Sequence, residues 1–171
     1  VSSGGPSRVI GKTVEVAAVR KNGSEFPVEL SLATWFLEKE RYYTGIIRDI
    51  SERKQAEQKF RSVTESAIDA IVSEDNKGNT ESWNNAATQI LGYTAEETIG
   101  QRLEIIIPER FREAHRQGMH RVTSGGPSHV IGKTVELSAV RKDGTEFPVE
   151  LSLATWFLDD QRYFTGIIRD I

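Results

Sequence analysis

The chain contains 171 residues, of which 37% are hydrophobic and 27% charged, and its formal net charge is −3. This balance is typical of a globular protein of one or two domains and does not favour a general nucleic-acid or membrane binder. The chain has no cysteine, which excludes disulfides, zinc–thiolate sites, iron–sulfur clusters and any cofactor held through a Cys adduct. No apolar run approaches the roughly 20 residues that span a bilayer. The default expectation for the compartment is the cytoplasm.

An internal repeat organises the sequence. Residues 1–50 align with residues 122–171 at a constant shift of 121 positions; ten positions differ, so 40 of the 50 residues are identical. The period is one small domain long, and the chain therefore looks like a piece of a longer tandem array. We expect residues 1–50 to be the C-terminal half of a preceding unit, residues 51–62 a connector, and residues 63–171 one complete unit.

The connector at residues 51–62 is polar and rich in helix formers, and Asp49 or Ser51 can cap its start. Four apolar residues recur at spacings of four, three and four, as in a narrow coiled-coil seam: Ala56, Phe60, Val63 and Ala67. Two interpretations stay open. The helix lies on its own domain, or it pairs with its copy in a dimer.

The complete unit begins with strands and short helices. Residues 67–85 predict two short strands around a turn at residues 76–79. A short helix follows and ends at Gly92, and residues 94–97 carry the pattern of a capping box. Pro108 can open a longer helix, on which one continuous inward face is formed by Phe111, Ala114, His115, Gly118, Met119 and Val122.

The last third of the unit is strand-like. Apolar residues alternate with polar ones over residues 135–139 and again over residues 147–153, and turns separate these runs from a final strand that ends at Ile171. Residues 1–50 repeat this three-stranded pattern. One unit is thus two strands, several short helices and a three-stranded antiparallel run, which predicts an α+β domain.

This order of elements resembles the PAS domain family. The matching motifs of the first half are Gly78, Trp83-Asn84-Asn85-Ala86-Ala87, Leu91-Gly92-Tyr93, Glu96-Glu97 and Ile99-Gly100. The second half is similar to the PAC portion of such domains, in Arg141-Lys142-Asp143-Gly144, Phe147-Pro148-Val149 and Gly166-Ile167-Ile168-Arg169-Asp170-Ile171. The resemblance covers residues 60–171 in full and residues 1–50 as a second PAC-type half. It implies a five-stranded antiparallel sheet around a small pocket, with short helices on one face.

Residues 108–153 also resemble the haem-binding oxygen-sensor members of that family. In that comparison His115 falls on the iron ligand, and Leu151 and Leu153 fall on apolar residues of the opposite, gas-binding side. Val135 stands where that group has an arginine that steadies bound oxygen, so carbon monoxide or nitric oxide suits the pocket better than oxygen. Helical phase alone also places His115 and Met119 on the inward face, where a neutral imidazole can ligate haem iron.

Other interpretations of these residues remain. His115 can instead be a helix residue that bonds a nearby carbonyl. Trp83 and Asn84 resemble the aromatic and amide pair of flavin-binding redox sensors, although Asn84 also fits a helix N-cap and Trp83 a strand end. His120 and His129 are expected to be solvated.

The sequence favours a sensory input module over an enzyme, because it has neither a Gly-rich phosphate loop nor a Ser/His/Asp set. The favoured module binds haem b and senses a gas. The alternatives are an FAD-based redox sensor and a cofactor-free dimerisation module. We expect self-association as a homodimer or a strand-exchanged oligomer, and an effector such as a histidine kinase or cyclase elsewhere in a longer chain.

Overall fold

The computed structural model describes residues 10–171, so the first nine residues of the N-terminal segment lie outside the described part of the chain. The chain divides into two compact units, residues 1–61 and residues 62–171. In the first unit, β1 (Thr13–Val19), β2 (Glu25–Leu37) and β3 (Glu40–Asp49) form an antiparallel sheet in chain order. This is the three-stranded run that the repeat predicts.

Helix α1 (Ser51–Glu65) follows β3 and confirms the helix predicted over residues 51–62. Asp49 caps its start by accepting a hydrogen bond from the Ser51 backbone N–H at 2.9 Å. Hydrogen bonds from Ser51 and Arg20 lower the pKa of Asp49 to about 2, so the cap keeps its charge at any neutral pH. No residue of α1 is buried, and Ala67, the last member of the apolar seam, lies beyond the end of the helix.

The second unit confirms the predicted α+β fold. Its elements are β4 (Ala70–Asp75), β5 (Thr80–Trp83), α2 (Asn85–Leu91), α3 (Ala95–Thr98), a 3-10 helix (Leu103–Ile106), α4 (Glu109–Thr123), β6 (Thr134–Val140), β7 (Glu146–Leu158) and β8 (Gln161–Asp170). The strands form one antiparallel sheet in the order β5-β4-β8-β7-β6. The N-terminal pair of strands therefore joins the C-terminal three through β4 and β8.

Local chemistry accounts for the sharp turns of this unit. The carboxylate of Asp75 accepts hydrogen bonds from the backbone N–H groups of Lys77 and Asn79, both at 2.8 Å. Burial raises the pKa of Asp75, but hydrogen bonds from Asn79 and Lys77 outweigh it and leave that pKa below its usual value. Gly92 ends α2 with φ of 82°, a conformation that glycine adopts without strain.

The core of the second unit lies between the inner face of the sheet and helices α2 and the 3-10 helix. Ala87 and Leu91 of α2 are fully buried, and they share a cluster with Val72 of β4 and Ile168 of β8. The outer face of the sheet carries an aromatic pair, in which Trp156 stacks on Tyr163 with ring centroids 4.6 Å apart. Trp35 and Tyr42 repeat this stack on the first sheet at 4.8 Å.

Deleting residues 1–62 should leave a cooperatively folded domain. The sheet, the core cluster and the caps of the second unit are all supplied by residues 63–171, and a core of this size supports independent folding. Thermal unfolding of the truncated chain followed by circular dichroism should show one sharp transition. A broad, non-cooperative melt would contradict the assignment of residues 63–171 as a complete domain.

Candidate functional site

A cavity of about 680 Å³ opens between α4 and the concave face of the five-stranded sheet. Its walls are mainly apolar, from side chains of the sheet and the 3-10 helix: Val72, Leu103, Ile106, Val149, Leu151, Leu153, Phe164 and Ile168. A cavity of this size and lining suits a small organic ligand or cofactor. It is the feature of the second unit with the clearest capacity to bind a molecule.

Arginine side chains hold α4 at the rim of this cavity. At its start, Arg110 forms a bidentate ion pair with Glu146 of β7. In its middle, Arg116 donates to Glu104 of the 3-10 helix at 2.9 Å, and at its end Arg162 of β8 donates to the carbonyl of Val122 at 2.6 Å.

Apolar packing contributes less than these arginine contacts, because Val122 is the only buried residue of α4. The pKa of Glu104, at this rim, depends on its burial and on two neighbouring arginines. Burial raises that pKa, but the neighbouring Arg102 and Arg116 outweigh it and leave the value below the usual range. The helix is therefore held mainly by charged groups, and the space beneath it stays open.

The inward face predicted for α4 is confirmed as the helical wall of the cavity. All six of its predicted members line the cavity: Phe111, Ala114, His115, Gly118, Met119 and Val122. Phe111 nevertheless remains 44% exposed, because this face looks onto an open cavity and not onto a packed core. A Cβ placed on Gly118 would meet no atom within 4 Å, so the wall is not crowded there.

His115 and Glu74 form the polar centre of the cavity. The Nε2 atom of His115 lies 3.5 Å from Oε1 of Glu74, a residue of the interior strand β4. The Glu74 side chain is only 5% exposed. Its second oxygen and His115 Nδ1 are both buried without a hydrogen-bond partner among the described residues. A ligand with polar atoms at this point would satisfy groups that otherwise lose hydration without compensation.

The remaining candidate cofactor contacts divide into two groups. Leu151, Leu153 and Met119 line the cavity. Val135 lies directly opposite Leu151 in the β6–β7 register, and therefore on the same face of the sheet, although the cavity lining does not include it.

Trp83 and Asn84 also lie outside the cavity lining. Trp83 is a core residue whose Nε1 donates to the Tyr93 carbonyl at 3.1 Å. Asn84 is the N-cap of α2, and its side-chain oxygen accepts from the Ala87 backbone N–H. The strand-end and N-cap roles expected for this pair are thus observed.

The other two histidines of the chain are exposed, as expected. His129 belongs to the loop at the cavity edge and contributes to its lining. His120 lies on α4 outside the lining. Among residues 10–171 there is no group of three or more His, Cys, Asp or Glu side chains that could hold a metal ion.

Glu74 was missed by the sequence reasoning. A signal was present, because Glu74 shares one face of β4 with Ala70 and Val72, and a carboxylate on an otherwise apolar face of an interior strand is unusual. The arginine anchors of α4 were also missed. Their partners are distant in sequence, as with Arg110 and Glu146, and nothing local marks them.

The comparisons with known proteins agree with this fold. A family model described as PAS domain matches residues 3–52 and 68–171. The chain belongs to the PAS domain family. Among solved structures, the PAS domain of an HTR-like protein from Haloarcula marismortui superposes with a TM-score of 0.54 at 22% identity, covering 70% of this chain and 95% of that one. This PAS protein therefore shares the fold with solved PAS domains, and the likeness at this identity shows the fold alone.

Two curated relatives of this PAS chain are sensors. The sensor protein FixL of Bradyrhizobium diazoefficiens is 33% identical over 138 residues, which is 77% of this chain and 27% of FixL. The oxygen sensor protein DosP of Escherichia coli is 31% identical over 88 residues, which is 52% of this chain and 11% of DosP. The chain thus spans about a quarter or less of the length of these relatives. In residues 10–171 no helix combines the length and apolarity needed to cross a membrane.

Proposed function

We propose that this PAS chain is the sensory input module of a signalling protein, and that the cavity beneath α4 holds its cofactor, with haem b favoured. The observation that carries the proposal is the imidazole of His115 on the helical wall of a large, mainly apolar cavity. Similarity to a named oxygen sensor supports it. Bound haem would supply the site at which a diatomic gas is detected.

The residues present fit a haem. His115 offers the ligand nitrogen, Gly118 one turn away leaves open space beside it, and Leu151 and Leu153 supply apolar surface on the sheet. His115 Nε2 now lies 3.5 Å from the Glu74 carboxylate, so the imidazole has to leave Glu74 to bind iron through that atom. The carboxylate is then free to accept a hydrogen bond from another donor in the cavity.

We further propose that the signal leaves the cavity along β4 and reaches α1. Glu74 of β4 contacts the cavity histidine, and the side-chain oxygen of Asn84 accepts from Ile71 of the same strand at 2.9 Å. The amide nitrogen of Asn84 donates to the Thr64 carbonyl in the last turn of α1, also at 2.9 Å. A displacement of β4 would therefore also move α1, the helix that precedes the domain.

Helix α1 suits the role of a connector between protomers. Its apolar residues Phe60 and Val63 are 72% and 63% exposed, which matches the interpretation that it pairs with its copy in a dimer. We propose a homodimer with a downstream effector in another part of a longer, cytoplasmic protein. The output activity would belong to that effector.

The test of the haem proposal is the absorption spectrum of the whole chain reconstituted with haemin. We expect a sharp Soret band that titrates to one haem per chain, since one cavity of this kind is present in the second unit. His115→Ala should abolish the band because it removes the iron ligand, whereas His120→Ala should leave it unchanged. The two histidines lie on the same helix, so this pair controls for nonspecific effects on α4.

Two results would overturn this proposal. A Soret band that survives His115→Ala would refute the ligand assignment. A chain that binds no haem but remains folded by circular dichroism would refute haem as the cofactor. Flavin fluorescence in the purified protein would then identify a redox sensor, and a colourless dimer would identify a cofactor-free interaction module.

A further inference from the structure

Glu74 places a carboxylate on an otherwise apolar inner face of the sheet. It pairs with Phe164 in the β4–β8 register and shares one face of β4 with Ala70 and Val72. Its side chain is 5% exposed. Burying a carboxylate is costly unless a cation or several hydrogen-bond donors compensate it, and glutamate is almost never fully buried without such a partner.

No lysine or arginine of the described residues forms an ion pair with Glu74. Arg102 comes nearby, since a Cβ at Gly78 would lie 3.6 Å from Arg102 Nη2 and 3.7 Å from Glu74 Oε2. Its guanidinium nevertheless pairs with Glu104 at 2.8 Å, and its side chain is 53% exposed. Within residues 10–171, the basic group at ion-pair distance from the Glu74 carboxylate is the imidazole of His115.

The contact with His115 leaves the carboxylate short of donors. His115 Nε2 and Glu74 Oε1 are 3.5 Å apart, which is long for a hydrogen bond. Glu74 Oε2 and His115 Nδ1 are both buried without a partner among the described residues. A neutral imidazole that turns its Nε2–H toward Glu74 keeps a lone pair on Nδ1, so both of these atoms accept hydrogen bonds. A ligand that completes this centre therefore has to supply N–H donors.

The surroundings of the pair define the rest of such a ligand. The cavity of about 680 Å³ is lined mainly by apolar side chains of the sheet, the 3-10 helix and α4. Its other charged lining residues, Arg121, His129 and Glu136, are all exposed. An apolar body with one cationic end matches this distribution, because the walls bury the body and the buried carboxylate binds the cation.

We propose that the cavity binds a small organic cation, an amine or amidine whose N–H groups donate to the Glu74 carboxylate while its apolar body packs against the sheet. Hydrogen bonds between an ammonium and a carboxylate are about twice as strong as those between neutral groups. This inference rests on the part of the proposed function that makes the cavity a ligand site, but not on haem as its occupant. A chain loaded with haem would not bind the amine, because both would fill the same cavity.

Calorimetric titration of the whole, haem-free chain tests the proposal. The probes are tryptamine and benzamidine, and their neutral counterparts are 3-ethylindole and benzamide. We expect tryptamine to bind saturably at one molecule per chain. We expect 3-ethylindole to bind at least about tenfold more weakly, because it has the same ring without the ammonium. If neither cation binds at millimolar concentration, the proposal is wrong.

Glu74→Gln removes the negative charge and keeps the shape of the side chain. It should weaken tryptamine binding by more than about tenfold and remove the preference for tryptamine over 3-ethylindole. Glu81→Gln is the matched control, since Glu81 is an exposed residue of the neighbouring strand β5 outside the cavity lining. It should leave both affinities unchanged. Tryptamine binding that is the same in the Glu74 variant and in the unmodified chain would overturn the proposal.

A measurement on the unmodified chain does not depend on how the variants fold. In the amide nitrogen–proton NMR spectrum, tryptamine should shift the signals of residues 72–75 of β4 and residues 114–119 of α4, which carry the two walls of the cavity. Shifts confined to the first unit or to the outer face of the second sheet would show that the amine binds elsewhere, and would refute the cavity as its site.

The haemin titration distinguishes failure of this inference from failure of the proposed function. If haem binds through His115, tryptamine should raise the haemin concentration needed for half of the Soret band. A folded chain that binds haem but neither cation would refute the organic cation alone. A chain that binds tryptamine through Glu74 and no haem would confirm the cation and refute haem as the cofactor. A folded chain that binds neither would refute both.

Discussion

Phe164→Ala should destabilise the second unit by about 3–5 kcal/mol, whereas Tyr43→Ala at the matching position of the repeat should cost less than about 0.5 kcal/mol. Phe164 is 1% exposed and its ring would be replaced by a cavity, but Tyr43 is 61% exposed. The measurement is the free energy of unfolding of each variant, from urea titration followed by circular dichroism.

This pair is a stringent test because the two positions lie on equivalent strands, β3 and β8, with the same register and the same flanking residues. The comparison therefore isolates the contribution of the cover that β4 and α2 provide. Comparable losses at the two positions would show that the inner face of the first sheet is packed in solution. That outcome would contradict the 61% exposure of Tyr43.

Asn84→Ala should cost about 3–4 kcal/mol, although it removes only one small side chain. Asn84 is 3% exposed and its amide makes four hydrogen bonds. The oxygen accepts from the N–H groups of Ile71 and Ala87, and the nitrogen donates to the carbonyls of Thr64 and Asp69. Each polar group left unsatisfied in the interior costs about 1–3 kcal/mol, with incomplete additivity.

The adjacent Asn85→Ala is the control for this variant. Asn85 is exposed, and its contact with Glu65 is made by its backbone N–H, which alanine keeps. It should change the free energy of unfolding by less than about 0.5 kcal/mol. Asn84→Asp should fall between the two, because the carboxylate keeps both accepting roles and loses both donating ones. Equal stability of the Asn84 and Asn85 variants in urea would show that this network contributes nothing.

Much of the fold was predictable because its signals are local. The turn at residues 76–79, the end of α2 at Gly92 and the Thr94–Glu97 capping box depend on neighbouring residues, and all are observed. The helical period likewise identified six of the seven residues of α4 that line the cavity, all except Arg121. Periodicity indicates which way a side chain faces, and this was enough to place His115 on the cavity.

The polar centre of the site was not predictable in the same way. Glu74 and His115 are separated by forty-one positions, and only the pairing of β4 with β8 brings that strand under α4. The arginine contacts show the same limit, since Arg110 and Glu146 are 36 positions apart in the sequence. The repeat adds a third case, because Tyr43 and Phe164 lie in nearly identical segments and differ wholly in burial.

Because arginine ion pairs and hydrogen bonds hold α4 in place, ionic strength should control access to the cavity. Ion pairs such as Arg110 with Glu146 and Arg116 with Glu104 weaken as salt screens them, but the apolar packing of the sheet does not. The helix should therefore open locally at salt concentrations that leave the sheet intact. Exchange of whatever fills the cavity should accelerate between 50 mM and about 500 mM salt with no change in the global melt. Salt concentration would then regulate, through α4, how fast a molecule enters or leaves the cavity.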